Sequence, residues 1–368
     1  LHTAYRRQRQ MCIRDRSQAD ARILKCALRN KISACEDNTT DSEGTHNTPE
    51  QDAALLRRSS LKVSLDARSR VIPDTTAGNI TGKIQGTETD SMILLSAHYD
   101  SYFDGFQDDN AAVAMMLGIA RALVKGGYKP AHTLVFCAMA AEEWGIIDSK
   151  YDWSTGAYNQ VFRVHPDWQG KVIADLNFEL PAHAHNRQDA IRCTYEYADF
   201  IRQFTDSLTV PKEAYPDGIT VLSPIETWSD DFSMAIAGIP STVNDFSAGP
   251  FMQNYYHSQY DNQDVYQEAV YQFHHECYLK LIMAIDRLVL PPMNFSNTMN
   301  AVAESIHENA LSFADPEQNV LLRNLQTIID SAENIYDKIC QINAEYATLS
   351  DSDARIAFRH KWEYAGLE

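Results

Sequence analysis

Five short motifs in the middle of the chain carry acidic and imidazole groups: Ala-His98-Tyr-Asp100, Gln-Asp108-Asp109-Asn110, Ala-Glu142-Glu143-Trp, Asn177-Phe-Glu179 and Tyr256-His257-Ser. The first four fall at the ends of predicted strands or at the start of a helix, and the fifth lies in an aromatic loop. Carboxylates and imidazoles without thiolates are the donor set of hydrolytic zinc sites. Their order along the chain suits a pair of zinc ions.

Each motif has its own chemistry. His98 and Asp100 are two apart, so on an extended segment they share a face, and a zinc-bound imidazole is commonly steadied by a carboxylate. His98 therefore reads as a ligand and Asp100 as its support. Asp108-Asp109 opens a helix, where a carboxylate serves as an ordinary N-cap or bridges two cations at the roughly 3.5–4 Å separation of two-metal sites. Glu142-Glu143 follows the run of eight apolar residues Leu134–Ala141, a costly place for two charges unless they are compensated. One of them can bind metal while the other takes a proton from water. Glu179 and Asp175 lie on the next strand, and the position of Glu179 nearer the carboxyl end favours it, with Asp175 as the alternative. His257 sits in a polar, aromatic loop. His132, His165, His183, His185, His274 and His275 read as ordinary histidines.

The elements that must position these groups are legible from patterning. Lys62–Arg68 alternates like a strand, with Ile80–Ile84 as its expected hairpin partner. Met92–Ser96, His132–Met139 and Lys171–Phe178 are apolar runs suited to strands buried on both faces. Ile219–Leu222 and Pro240–Val243 are shorter candidates. Helices are predicted over 111–124, 196–208, 230–237 and 264–289, the first capped by Asp109 or Asn110 and stopped by Gly126-Gly127. Strands alternating with helices predict a three-layer α/β/α sandwich with a mixed, mostly parallel central sheet, whose sites lie at the carboxyl ends of strands. A C-terminal helical segment follows, in which Leu321, Leu325, Ile328, Ala332, Ile335, Ile339, Ile342 and Tyr346 form one apolar stripe suited to another helix or subunit.

Composition narrows the partners. The 368 residues are 44% apolar, enough for a large core, and the formal charge of −18 argues against nucleic acid, which needs a basic face. No apolar run reaches the length of a membrane span. Seven scattered cysteines without Cys-x-x-Cys spacing favour a reducing compartment. Residues 1–58 read as a non-native or linker-like segment, 59–292 as the catalytic domain and 293–368 as a helical region for possible dimerisation.

The run from Ile93 to Trp144 and the Tyr-His257-Ser loop together resemble the co-catalytic zinc aminopeptidase family, which includes glutamate carboxypeptidase-type enzymes, glutaminyl cyclases and transferrin receptor. The resemblance covers about residues 61–290 and rests on four motifs in the family's order. It implies two zinc ions, with His98 and Glu179 holding one, Glu143 and His257 the other, and Asp109 bridging. It makes Glu142 the general base and acid, Asp100 a supporting residue and Tyr256 an oxyanion-steadying tyrosine. The implied reaction is exopeptidase hydrolysis of a peptide or N-acylated amino acid, aminopeptidase favoured over carboxypeptidase, through a water shared by two zinc ions. Glutaminyl cyclisation and a non-catalytic receptor-like role are the alternatives. The family usually has Asp where Glu179 stands, and many members carry a protease-associated domain ahead of this region, which the resemblance implies is missing here, and a helical dimerisation domain behind it.

Overall fold

Side chains alternate along the central strands, so each strand feeds two separate cores. The computed structural model describes residues 76–144, 153–246, 249–306 and 316–364. Seven strands form one sheet: β1 (Ile80–Ile84), β2 (Met92–His98), β3 (Thr133–Met139), β4 (Val172–Asn177), β5 (Asp189–Cys193), β6 (Ile219–Leu222) and β7 (Ser241–Asn244). Their order is β1-β3-β2-β4-β7-β5-β6. The four central strands β3, β2, β4 and β7 run parallel, β1 joins antiparallel to β3, and β5 joins antiparallel to β7 while pairing parallel with β6. The expected partner of β1 at residues 62–68 lies outside the described residues. Strand β5 was not expected from the pattern.

On one face Ile93, Leu95, Ala97, Leu134, Phe136 and Leu176 pack against three helices. These are α1 (Ala111–Lys125), α3 (Ala198–Asp206) and α6 (Glu268–Asp286). On the other face Leu94, Val135, Cys137 and Met139 meet Ala157 of α2 (Thr155–Asn159) and Met234 of α4 (Asp231–Ile236). This is the three-layer sandwich that the patterning predicts. Cys137, Cys193, Cys277 and Cys340 are all free thiols. No helix among the described residues is long and apolar enough to cross a membrane.

Three helices follow α5 (Pro250–Asn254) and α6: α7 (Phe295–Ser305), α8 (Pro316–Ala347) and α9 (Ser352–Tyr364). The expected stripe on α8 divides. Leu325, Ala332, Ile342 and Tyr346 are buried and joined by Ile329, whereas Leu321, Ile328 and Ile335 stay exposed. A straight α-helix repeats every 3.6 residues, so a 3.5-residue stripe drifts around it and only part of it can face one neighbour.

The C-terminal helices are fastened to the sandwich through Arg359, which is fully buried. Its guanidinium donates to Tyr346 Oη at 2.8 Å and to Leu288 O at 2.9 Å, lies 3.2 Å from His132 Nε2, and faces Glu88 Oε2 at 3.4 Å. On the far side of the same imidazole, Asp286 accepts from Tyr128 Oη, Ala131 N and His132 N at 2.7, 3.0 and 2.8 Å. Burial raises the Asp286 pKa, but these donors and His132 outweigh it and hold the carboxyl below its usual value. Two outcomes follow from this network. Arg359→Ala strands several buried acceptors and is expected to cost about 3 kcal/mol, read as a lower urea midpoint. Because the folded pKa of Asp286 is depressed, its stabilisation is present above the unfolded value of about 3.9 and is lost as pH falls through the folded value. The stability gap between wild type and Asp286→Asn should therefore close on acidification below about pH 4. A gap that widens there contradicts the assignment.

Candidate metal centre

His98 is the last residue of β2, Glu142-Glu143 follows β3, and Glu179 follows β4. The three therefore meet at the carboxyl edge of the parallel strands. The connecting loops are stitched to one another. Asp261 accepts the N–H groups of Gln107 and Asp108 at 2.8 and 3.0 Å, tying the 106–110 turn to the His257 loop. Gln107, also buried, accepts from Ala182 N at 2.7 Å and donates to His183 O at 3.2 Å, tying that turn to the loop after Glu179. Gly105 enters the turn with φ of +47°, and a Cβ there would lie 2.2 Å from Ser101 Cβ, so no other residue fits this approach. Asn244 accepts from Glu179 N at 2.9 Å, and Ser229 Oγ donates to Glu179 Oε1.

The geometry draws His98, Asp108, Asp109, Glu142, Glu143, Glu179 and His257 into three overlapping groups, each compact enough to share a cation: His98 with Asp109 and Glu179, His98 with Glu142 and Glu143, and Asp108 with Glu143 and His257. His98 Nε2 lies 3.2 Å from Asp108 Oδ1 and 3.8 Å from Glu179 Oε2. His257 Nε2 lies 3.1 Å from Asp108 Oδ2 and 3.0 Å from Glu143 Oε1. Of the two adjacent aspartates, Asp108 is the one with an oxygen toward each imidazole. Asp109, assigned the bridging position on the resemblance, sits beside it. Its Oδ1 accepts from Leu180 N at 3.1 Å, and its buried Oδ2 has no donor among the described residues. A cis peptide joins the pair.

Asp100 lies between His98 and the Glu142-Glu143 turn. Its two carboxylate oxygens accept the N–H groups of Glu142 and Glu143, each at 3.1 Å, and Oδ1 lies 3.7 Å from His98 Nδ1. Burial opposes its ionisation, but His98 and these two amides hold its pKa below the usual value. Asp175, the alternative to Glu179, points elsewhere: it is fully buried, accepts from Ser96 Oγ at 2.8 Å, and has Asp230 and Asp231 as its charged neighbours. Tyr256 stacks on His257 with ring centroids 3.7 Å apart. Burial and the surrounding carboxylates push its phenol well above the usual value, so it stays a neutral donor. Sequence reasoning missed Ser154, Ser229, Asp230 and Asp261 in loops and Asn244 at the end of β7, none of which has a spacing to mark it.

The donor set fits a divalent metal. His98 Nδ1 lies 2.8 Å from the backbone carbonyl of Asp100, which only accepts, so the proton belongs on Nδ1. In neutral His98 the Nε2 lone pair then points at carboxylate oxygens, an arrangement that needs a cation or an added proton between them. Accordingly the His98 pKa rises well above its usual value, with burial opposed by Glu179 and Asp109. Burial first, and neighbouring carboxylates second, push Glu142 and Glu143 upward, and burial pushes Glu179 up to about 8. Asp108, like Asp100, goes down: burial resists, but His257 and His98 outweigh it. Among the described residues no lysine or arginine pairs with any of these carboxylates, and buried charge without a partner is expensive.

A family profile described as "Peptidase family M28" matches residues 79–282. The chain is 37% identical over 106 residues to the "Probable glutamate carboxypeptidase" of Arthroderma benhamiae, a stretch covering 28% of this chain and 14% of that protein. It is 34% identical over 96 residues to "Aminopeptidase NAALADL1" of Mus musculus, covering 25% and 12%. Among solved structures, the LapA aminopeptidase of Legionella pneumophila aligns with a TM-score of 0.45 at 16% identity, over 56% of this chain and 54% of that one. The zinc aminopeptidase BSAP of Bacillus subtilis aligns with a TM-score of 0.45 at 18% identity, over 56% and 50%. The chain thus spans only a small part of the curated relatives it matches.

The geometry makes Asp108 and Asp109 separable by experiment. Asp108→Asn is expected to lose most bound zinc, measured by elemental analysis after dialysis, while Asp109→Asn retains more of it. The reverse order would return the bridging position to Asp109.

Proposed function

Because the chain belongs to peptidase family M28, we propose that it is a zinc-dependent exopeptidase acting at the centre formed by His98, Asp108, Glu143, Glu179 and His257. The observation that carries this reading is Asp108, with one oxygen 3.2 Å from His98 Nε2 and the other 3.1 Å from His257 Nε2. We assign two zinc ions, His98 and Glu179 holding one and Glu143 and His257 the other, with Asp108 in place of Asp109 between them. Bound zinc supplies Lewis acidity, which acidifies water and polarises a scissile carbonyl.

The chain's own groups do the rest. Glu142, buried beside His98 and Glu143, takes the proton of the attacking water and delivers it to the leaving nitrogen. Tyr256 donates its hydroxyl to the developing oxyanion. Asp100 keeps Glu142 and Glu143 in register through their two amides. The centre is lined with carboxylates, and among the described residues no lysine or arginine pairs with them, which suits a cationic substrate α-amino group better than a free carboxylate. Aminopeptidase action on peptides is therefore favoured over carboxypeptidase action on peptides or N-acylated amino acids.

We also propose that residues 59–292 form the catalytic domain and that 293–368 join two copies. Leu321, Ile328 and Ile335 recur every seven residues along α8 and are 51%, 50% and 57% exposed, the spacing of a helix-to-helix seam.

Two experiments test these assignments. Glu142→Gln should keep its zinc and lose about 10²–10⁴-fold in kcat on aminoacyl chromogenic substrates; a near-normal rate refutes the base assignment. Ile328→Glu combined with Ile335→Glu should halve the mass seen in sedimentation, and a wild type that is already monomeric would sink the dimer.

A further inference from the structure

Glu142 leaves β3 through Ala141, a non-glycine residue with φ of +58°. A glutamate after so irregular a turn needs an external hold if its carboxylate is to point one way. The hold comes from Ser154, twelve residues on. Ser154 N donates to Glu142 O at 2.8 Å and Thr155 N to Ala141 O at 2.9 Å. Ser154 Oγ donates to Glu142 Oε1 at 3.3 Å, and the serine is buried, with only 4% exposed. Ser154 itself has φ of +50°, another left-handed non-glycine residue. Such a backbone is strained and persists where surrounding contacts enforce it.

Those contacts are present. The carbonyl of Ala140 comes so close to the start of α2 that a Cβ on Gly156 would sit 1.8 Å from it. Asn79 then fastens both sides, accepting from Ala140 N at 2.8 Å and donating to Gly156 O at 3.0 Å and Gln160 Oε1 at 2.9 Å. The result is a bracket that presents the Ser154 hydroxyl to Glu142. The fully buried Asp230 is a second carboxylate within hydrogen-bonding reach of that hydroxyl, so the bracket is buried and polar rather than open to solvent.

We propose that Ser154 is the positioning residue of the general base: its hydroxyl occupies Glu142 Oε1, fixes the carboxylate rotamer and leaves Oε2 as the oxygen that carries the proton. The proposal rests on the reading of Glu142 as the base. It assigns to Ser154 no contact with substrate or metal, so its removal should act on turnover rather than on binding.

The test uses the full chain and two substitutions of the serine. Ser154→Gly removes the hydroxyl where the positive φ suits glycine, and Ser154→Ala checks that the effect does not depend on the replacement. Both are expected to lower kcat about tenfold or more, with KM and zinc content unchanged. In a Glu142→Gln background Ser154→Gly should change kcat by less than about twofold, because coupled residues are not additive. A structural role would give equal losses in both backgrounds and overturns the proposal, as does a wild-type kcat in Ser154→Gly. If Glu142→Gln alone keeps its rate, the base assignment fails and the proposal falls with it. Crystal structures of the zinc-free proteins give a readout independent of activity. Glu142 should hold one rotamer in wild type and leave it in Ser154→Gly, and an unmoved carboxylate contradicts the proposal.

Discussion

Crowding of buried carboxylates is the constraint on which everything else in this fold depends. Asp108, Asp109, Glu142, Glu143 and Glu179 gather around two imidazoles, and no described lysine or arginine neutralises them. Left alone, such a cluster must bind protons or disperse, because each buried charge is costly. The lone pair of neutral His98 directed at Asp108 makes the demand specific: what is missing is positive charge at defined points, about the size of a metal ion. Zinc would meet that demand with ligands of the right type, and on the proposed reading it would make the cluster a hydrolytic centre.

The backbone around the cluster carries the cost of holding it. Ala141 before Glu142, Ser154 against it, Leu180 after Glu179 and His257 itself all have positive φ, as do Phe103 and Gly105 in the loop from His98 to Asp108. Such residues are rare and concentrate at functional sites. They persist here because Asp100, Gln107, Asn244 and Asp261 each pin backbone amides of the ligand-bearing loops. The sandwich beneath supplies a stiff edge, and these polar side chains transfer that stiffness to loops with no regular structure of their own.

Much of this was legible in the sequence, for reasons that also mark where legibility ends. Strands β2, β3 and β4 are apolar on both faces and read as buried strands directly, so His98, Glu142, Glu143 and Glu179 could be placed at their ends. Strand β5 reads Asp-Ala-Ile-Arg-Cys, with two charged residues among five, and is too polar to declare itself. The choice between Asp108 and Asp109 depends on which way adjacent side chains point in a turn that follows no repeat, and periodicity cannot decide it. Ser154, Asp230 and Asp261 act through tertiary contacts alone. On α8 the heptad stripe was readable, but the drift of a straight helix decided which half of it would be covered.

Anomalous diffraction at the zinc edge from crystals of the full chain is the most direct test. Two peaks are expected, one within bonding distance of His98 Nε2 and Glu179, the other of His257 Nε2 and Glu143, with the Asp108 carboxylate between them. A map with no peak among these side chains, from protein that is folded and saturated with zinc, would contradict this assignment.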